Sequence, residues 1–154
     1  MPDLIPFENQ PVPWLPRVPR GTRVAQPHSL QELSEVAATD MVARQYHAFL
    51  SSIDTEVRYQ WANEWERLYA VGPFTRRRRR RRRVPFVLVA NYRRPYRHLV
   101  ELSRLLVEPY LEFNILPDIH LIPIKLERQL EQAANPWWRA TEDLSIWWDA
   151  DAAT

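Results

Sequence analysis

Eight consecutive arginines, Arg76 to Arg83, sit at the middle of this 154-residue chain. In a helix, eight successive side chains point all the way round the axis, and in a strand they alternate between two faces. Neither arrangement leaves a side free for apolar packing, and mutual repulsion opposes ordering such a run in water. An ordered run of this kind calls for a dense polyanion around it. The net charge of +2 hides the asymmetry: without the run, 13 basic residues face 19 acidic ones, leaving about −6. Lys125 is the single lysine, so the positive charge is carried by planar guanidinium forks suited to pairs of phosphate oxygens.

The remaining composition excludes several classes. The absence of cysteine removes disulfides and thiolate metal sites. No apolar run is long enough for a transmembrane helix. The opening residues, MPDLIPFENQPVP, have neither the basic start nor the apolar centre of a signal peptide. Only two glycines occur, Gly21 and Gly72, and a β-rich fold built on glycine turns is disfavoured, which points to helices.

Residues 1–28 read as an extended arm. Seven prolines fall within residues 1–27 and fix an extended backbone close to polyproline II, punctuated by Phe7, Trp14 and Leu15 as docking anchors. Residues 29–72 read as a long helical segment. Ser29-Leu30-Gln31-Glu32 fits a capping box, apolar residues recur at helical spacing through Trp61, Trp65 and Leu68, and Gly72-Pro73 supplies a stop. Ser52 or Asp54 could split this segment, so one long helix and a helical hairpin both fit. Residues 73–97 form the arginine-rich segment, in which VPFVLVANY (84–92) suits a strand or a buried helix turn equally. Residues 98–154 read as a helical C-terminal region, with a helix from Pro95 to about Asn114, a loop at 116–124, a short helix at 124–134, and a last helix capped by Asn135-Pro136. The expected fold is all-α, with an N-terminal arm.

Signals for catalysis are nearly absent. The four histidines stand at no metal-ligand spacing, no glycine-rich phosphate loop exists, and the acidic pairs Glu64/Glu66 and Glu142/Asp143 look like helix surface. The chain is expected to be no enzyme and to hold no metal or cofactor. The expected nucleic-acid contacts are Arg76, Arg77, Arg78, Arg79, Arg80, Arg81, Arg82 and Arg83, joined by Arg93, Arg94 and Arg97. Tyr92 and Tyr96 could stack on unpaired bases, or pack as part of the following helix. Four tryptophans, Trp137, Trp138, Trp147 and Trp148, exceed what a short terminal helix usually buries. With Phe7, Trp14 and Leu15 they are the expected subunit interface, with lipid as a second candidate.

In organisation the chain resembles the small coat proteins of filamentous viruses of hyperthermophilic archaea, of the rudivirus, lipothrixvirus and tristromavirus types. The features that carry the resemblance are a proline-rich arm, a long helical segment, a concentrated arginine surface and a helical outer part, over roughly residues 1–115. The eight-arginine run itself is not a motif of that group. The resemblance implies a capsid subunit of the virion that wraps double-stranded DNA in A-form and assembles, as a homo- or hetero-oligomer, into a helical filament. Two of the three types are enveloped, which implies lipid contact. Guanidinium–phosphate contacts ignore the sugar, so RNA also fits. The alternative is a ribosomal or other ribonucleoprotein component whose basic segment threads RNA, or a nuclear protein whose polyarginine is a localisation signal.

Overall fold

Ser29 starts the first helix, α1 (Leu30–Ala37), by accepting the Glu32 N–H on its hydroxyl at 3.1 Å. The Glu32 carboxylate reaches back to the His28 N–H at 2.7 Å, one residue before the serine. Asp40 then caps α2 (Met41–Gln60), accepting the N–H groups of Val42 and Ala43 at 2.8 and 3.1 Å. The break between helices therefore falls at Ala38–Asp40, and the stretch 51–56 is uninterrupted helix. The computed structural model describes residues 26–60, 66–75, 83–91 and 95–149. The arm with Phe7, Trp14 and Leu15 lies outside the described residues, as do Trp61 and Trp65.

The all-α expectation is overturned. Four strands, β1 (Arg67–Val71), β2 (Arg83–Ala90), β3 (Leu116–Pro123) and β4 (Ser145–Asp149), form one mixed sheet in the order β3-β2-β1-β4. Three further helices are α3 (Pro95–Phe113), α4 (Ile124–Gln132) and α5 (Pro136–Leu144), and the fold is α/β. β1 runs antiparallel to both β2 and β4, whereas β2 and β3 are parallel and joined through α3. Strand thus replaces helix at 67–71, loop at 116–123 and helix at 145–149.

Alternation along the strands divides the core into two layers. Leu68, Ala70, Val84, Phe86, Leu88, Ile146 and Trp148 pack on one face with Leu33, Phe49, Ile53, Leu102 and Leu106 from α1, α2 and α3. Tyr69, Val71, Val87 and Val89 pack on the other face with Leu130, Trp138 and Leu144 from α4 and α5. The result is an α/β/α sandwich. Each fully buried aliphatic or aromatic side chain contributes about 1.5–3 kcal/mol.

The scarcity of glycine is compatible with this sheet because none of its described connections is a tight hairpin. α3 joins β2 to β3, α4 and α5 join β3 to β4, and residues 72–82 join β1 to β2. Two positions do need the left-handed region that glycine favours, and other residues fill them: Asn114 at φ 53° after α3, and Ala134 at φ 51° after α4. At the second, the N–H groups of Ala134 and Asn135 donate to the carbonyls of Glu131 and Leu130, both at 3.0 Å, closing a Schellman motif. Asn135 then turns to cap α5, its Oδ1 accepting from Trp137 and Trp138 N–H at 2.9 and 3.1 Å.

Prolines are placed where strands tolerate them. Pro117 and Pro123 lie on edge strand β3, and Pro85 in β2 lies just past the last β1 partner, Phe86. Pro109 is held inside α3.

Candidate nucleic-acid interface

The arginine run connects two strands at the centre of the sheet. β1 ends at Val71, and the Gly72 N–H donates to the Leu144 carbonyl at 2.8 Å, tying the exit of the strand to the end of α5. Phe74 is fully buried and stacks edge-on against Tyr46 at 5.5 Å. On the other side, Arg83 is exposed at the first position of β2, opposite Leu116, and Val84 beside it is fully buried. The run is therefore spliced between two core-anchored ends, Phe74 and Val84. Arg76 to Arg82 themselves lie outside the described residues.

Arg83 and Arg97 are not neighbours in the fold. Eight residues of β2 at ~3.3 Å per residue separate the two ends of that strand by about 23 Å. Arg97 stands in the first turns of α3, beyond the far end of β2, where its Nε pairs with Glu101 at 3.0 Å. Arg93, Arg94 and Tyr92 lie outside the described residues, and Tyr96 is exposed on α3.

The four C-terminal tryptophans separate into different roles. Trp138 is 0 % exposed and meets Tyr69 edge-on at 5.5 Å, and Trp148 is buried against α2. Trp137 is half-buried, and Trp147 is 47 % exposed on the α4–α5 side of the sheet. Two of the four thus belong to the subunit's own core, and Trp147 offers the largest aromatic surface among them.

A second polar site, which the sequence did not signal, lies on the α4–α5 face. Arg67 Nη1 donates to Glu127 Oε1 at 2.7 Å, and the Tyr69 hydroxyl donates to Glu127 Oε2 at 3.1 Å. Burial raises the Glu127 carboxyl above its ordinary pKa, opposed by the Arg67 charge and the Tyr69 hydrogen bond. Burial, followed by the Glu127 charge, raises the Tyr69 phenol. Burial and the nearby Glu131, Glu127 and Asp143 charges raise Glu142. A cleft of about 560 Å³ opens here, lined by His28, Arg67, Tyr69, Glu131, Glu142 and Trp147. His28 Nδ1 stands 3.3 Å from the Ser145 carbonyl oxygen. Among the described residues that line it, Arg67 is the one arginine and is engaged by Glu127, while Glu131, Glu142 and Asp143 make the lining acidic.

No protein-family model, no curated protein and no solved structure matches this chain. Its own charge and geometry carry the functional reading.

Proposed function

We propose that this protein is a structural nucleic-acid-packaging subunit that grips the phosphate backbone of double-stranded DNA without reading base sequence. The observation that carries the reading is the placement of eight adjacent arginines between two ends anchored in the core, Phe74 and Val84. Anchoring both flanks lowers the entropy lost when the run closes on a polyanion. Eight identical cations in succession match the uniform charge of a phosphate backbone and hold no varied pattern of donors and acceptors to read a mixed base sequence. The acidic cleft on the α4–α5 face supports a one-sided mode of binding, as in a subunit repeated along a uniform rod within a virion. The likeness to archaeal viral coats includes a long helical segment over 29–72, whereas α1 and α2 are followed there by strand β1. The packaging role therefore rests on the charge partition.

Full-length protein and a variant with Arg76–Arg83 replaced by alternating Gly and Ser should be titrated against two unrelated DNA duplexes across a salt series. Eight neutralised phosphates give a slope of log K against log salt of about −7, equal for both duplexes. The replaced variant should lose binding while keeping its circular dichroism. A preference above ~100-fold for one duplex, about 3 kcal/mol, or undiminished binding by the variant, would overturn the reading. Stronger binding to duplex RNA would move it to the ribonucleoprotein class.

A further inference from the structure

α3 is apolar on two opposite sides. One side is buried in the core through Leu102, Leu105 and Leu106. The other carries Tyr96, Val100, Val107 and Leu111, which are 82, 47, 48 and 72 % exposed, with Tyr110 beside them. The spacing 96, 100, 107, 111 places these four on a single stripe of the helix. A surface helix normally turns charged residues outward, so this second stripe calls for a cover.

Its pattern indicates what the cover is. The stripe is palindromic about the midpoint between Ser103 and Arg104: positions 96 and 111 are equidistant from it, as are 100 and 107. An antiparallel copy of the same helix therefore sets Tyr96 against Leu111 and Val100 against Val107, twice over. The charges on one flank follow the same symmetry. In the antiparallel register Arg97 lies within about 3 Å, along the axis, of Glu108 and Glu112 of the second copy, and Arg104 equally near its Glu101. These opposite pairs outnumber the like pairs Glu101–Glu108 and Arg104–Arg104.

We infer that α3 is an isologous dimer interface, in which two copies of this chain pack antiparallel through Tyr96, Val100, Val107 and Leu111. A two-fold contact of this kind is self-complementary by construction. The inference does not rest on the packaging reading: it uses none of residues 76–83, and of the expected nucleic-acid contacts only Arg97, which stands apart from the run.

The chain contains no cysteine, which makes a directional test available in the full-length protein. In high salt, which strips bound nucleic acid, light scattering should give the mass of two chains. Val100→Glu and Val107→Glu should each return the mass of one chain with unchanged circular dichroism, because both side chains are half-exposed in the subunit. Val100→Cys and Val107→Cys proteins should cross-link with each other when mixed under oxidation, and neither with itself. In the antiparallel register like positions stand about 10 Å apart along the axis, beyond the ~7 Å limit of a disulfide. A wild-type monomer, as expected if the N-terminal arm or a lipid surface covers the stripe, would overturn the inference. So would oligomers that survive both glutamate substitutions, or self-linking of Val100→Cys, which marks a parallel pair.

Discussion

Trp148 Nε1 donates to Asp54 Oδ1 at 2.6 Å, linking edge strand β4 to the middle of α2 across 94 positions of sequence. Arg58 Nε holds the same carboxylate, at 3.0 and 3.1 Å from its two oxygens. Asp54 thus orients the indole that closes the sheet edge onto the helix layer. Asp54→Ala leaves the buried indole N–H without its acceptor and should cost about 1.5–3 kcal/mol. Asp54→Asn retains an acceptor and should cost less. Urea midpoints for the two variants check this, and equal losses would show that the charge on Asp54 matters more than the bond.

Ala134 occupies a left-handed position where a side chain is disfavoured. Ala134→Gly should stabilise the fold by about 0.5–1 kcal/mol, since relief of the Cβ contact outweighs the added freedom of the unfolded chain. The thermal midpoint should rise without any change in secondary structure.

Gly72 presents the opposite case. A Cβ built there meets the Leu144 carbonyl oxygen at 2.8 Å and the Phe74 ring at 3.1 and 3.2 Å. The oxygen is backbone at the α5–β4 junction and accepts the Gly72 N–H, so it cannot give way without losing that bond. Gly72→Ala should destabilise by about 1–3 kcal/mol, read as a lower denaturant midpoint.

Asn135 and the β1 strand mark what the sequence makes legible and what it does not. A helix cap is local chemistry: a side-chain oxygen and the two or three N–H groups that follow it. Ser29, Asn135 and Pro136 could therefore be read directly. Leu68-Tyr69-Ala70-Val71 is buried on both faces, so its apolar run lacks the alternation that announces a strand. Trp61, Trp65 and Leu68 happen to match helical spacing. Trp137, Thr141, Leu144 and Trp148 do the same across a junction where helix passes into strand between Leu144 and Ser145. The partners that decide those cases lie far off in sequence, and pairing over such distances leaves no local trace. For the same reason the charge of the arginine run is plain in the sequence, whereas the burial of its flanks Phe74 and Val84 is not. Nor is the Arg67–Glu127 pair, 60 positions apart.

Glu142 gives the cleft a pH signature. Burial and the charges of Glu131, Glu127 and Asp143 raise its carboxyl above the ordinary 4.5. The folded state therefore holds this proton more tightly than the unfolded chain. The resulting stability is fully present below the ordinary value and is lost as pH rises through the raised one. Glu142→Gln removes the charge at similar volume. The variant should match the wild type in acid and exceed it increasingly from about pH 4.5 towards neutrality. Parallel stability curves for the two proteins over that range would refute the assignment.

Two classes of arginine in this chain should respond oppositely to removal. Arg67 is held on Glu127, whose side chain is almost wholly buried, while the guanidinium keeps about a third of its surface in water. Arg67→Ala leaves that carboxylate with the Tyr69 hydroxyl alone. Allowing for the solvent around the guanidinium, the loss should be about 1–3 kcal/mol. Arg67→Ala should also raise the pKa of Glu127 further, so its penalty should shrink as pH falls and the carboxylate is neutralised. Nucleic-acid affinity per folded molecule should be unchanged, because Arg67 faces an acidic cleft. Replacing Arg76–Arg83 should do the reverse. Affinity and its salt dependence should vanish, while stability stays the same or rises as mutual repulsion is relieved. Both variants can be measured side by side, by urea titration and by binding to one DNA duplex at two salt concentrations. A fall in duplex affinity for folded Arg67→Ala comparable to that of the run replacement would place the polyanion on the α4–α5 face, and the division of labour between the two surfaces would have to be abandoned.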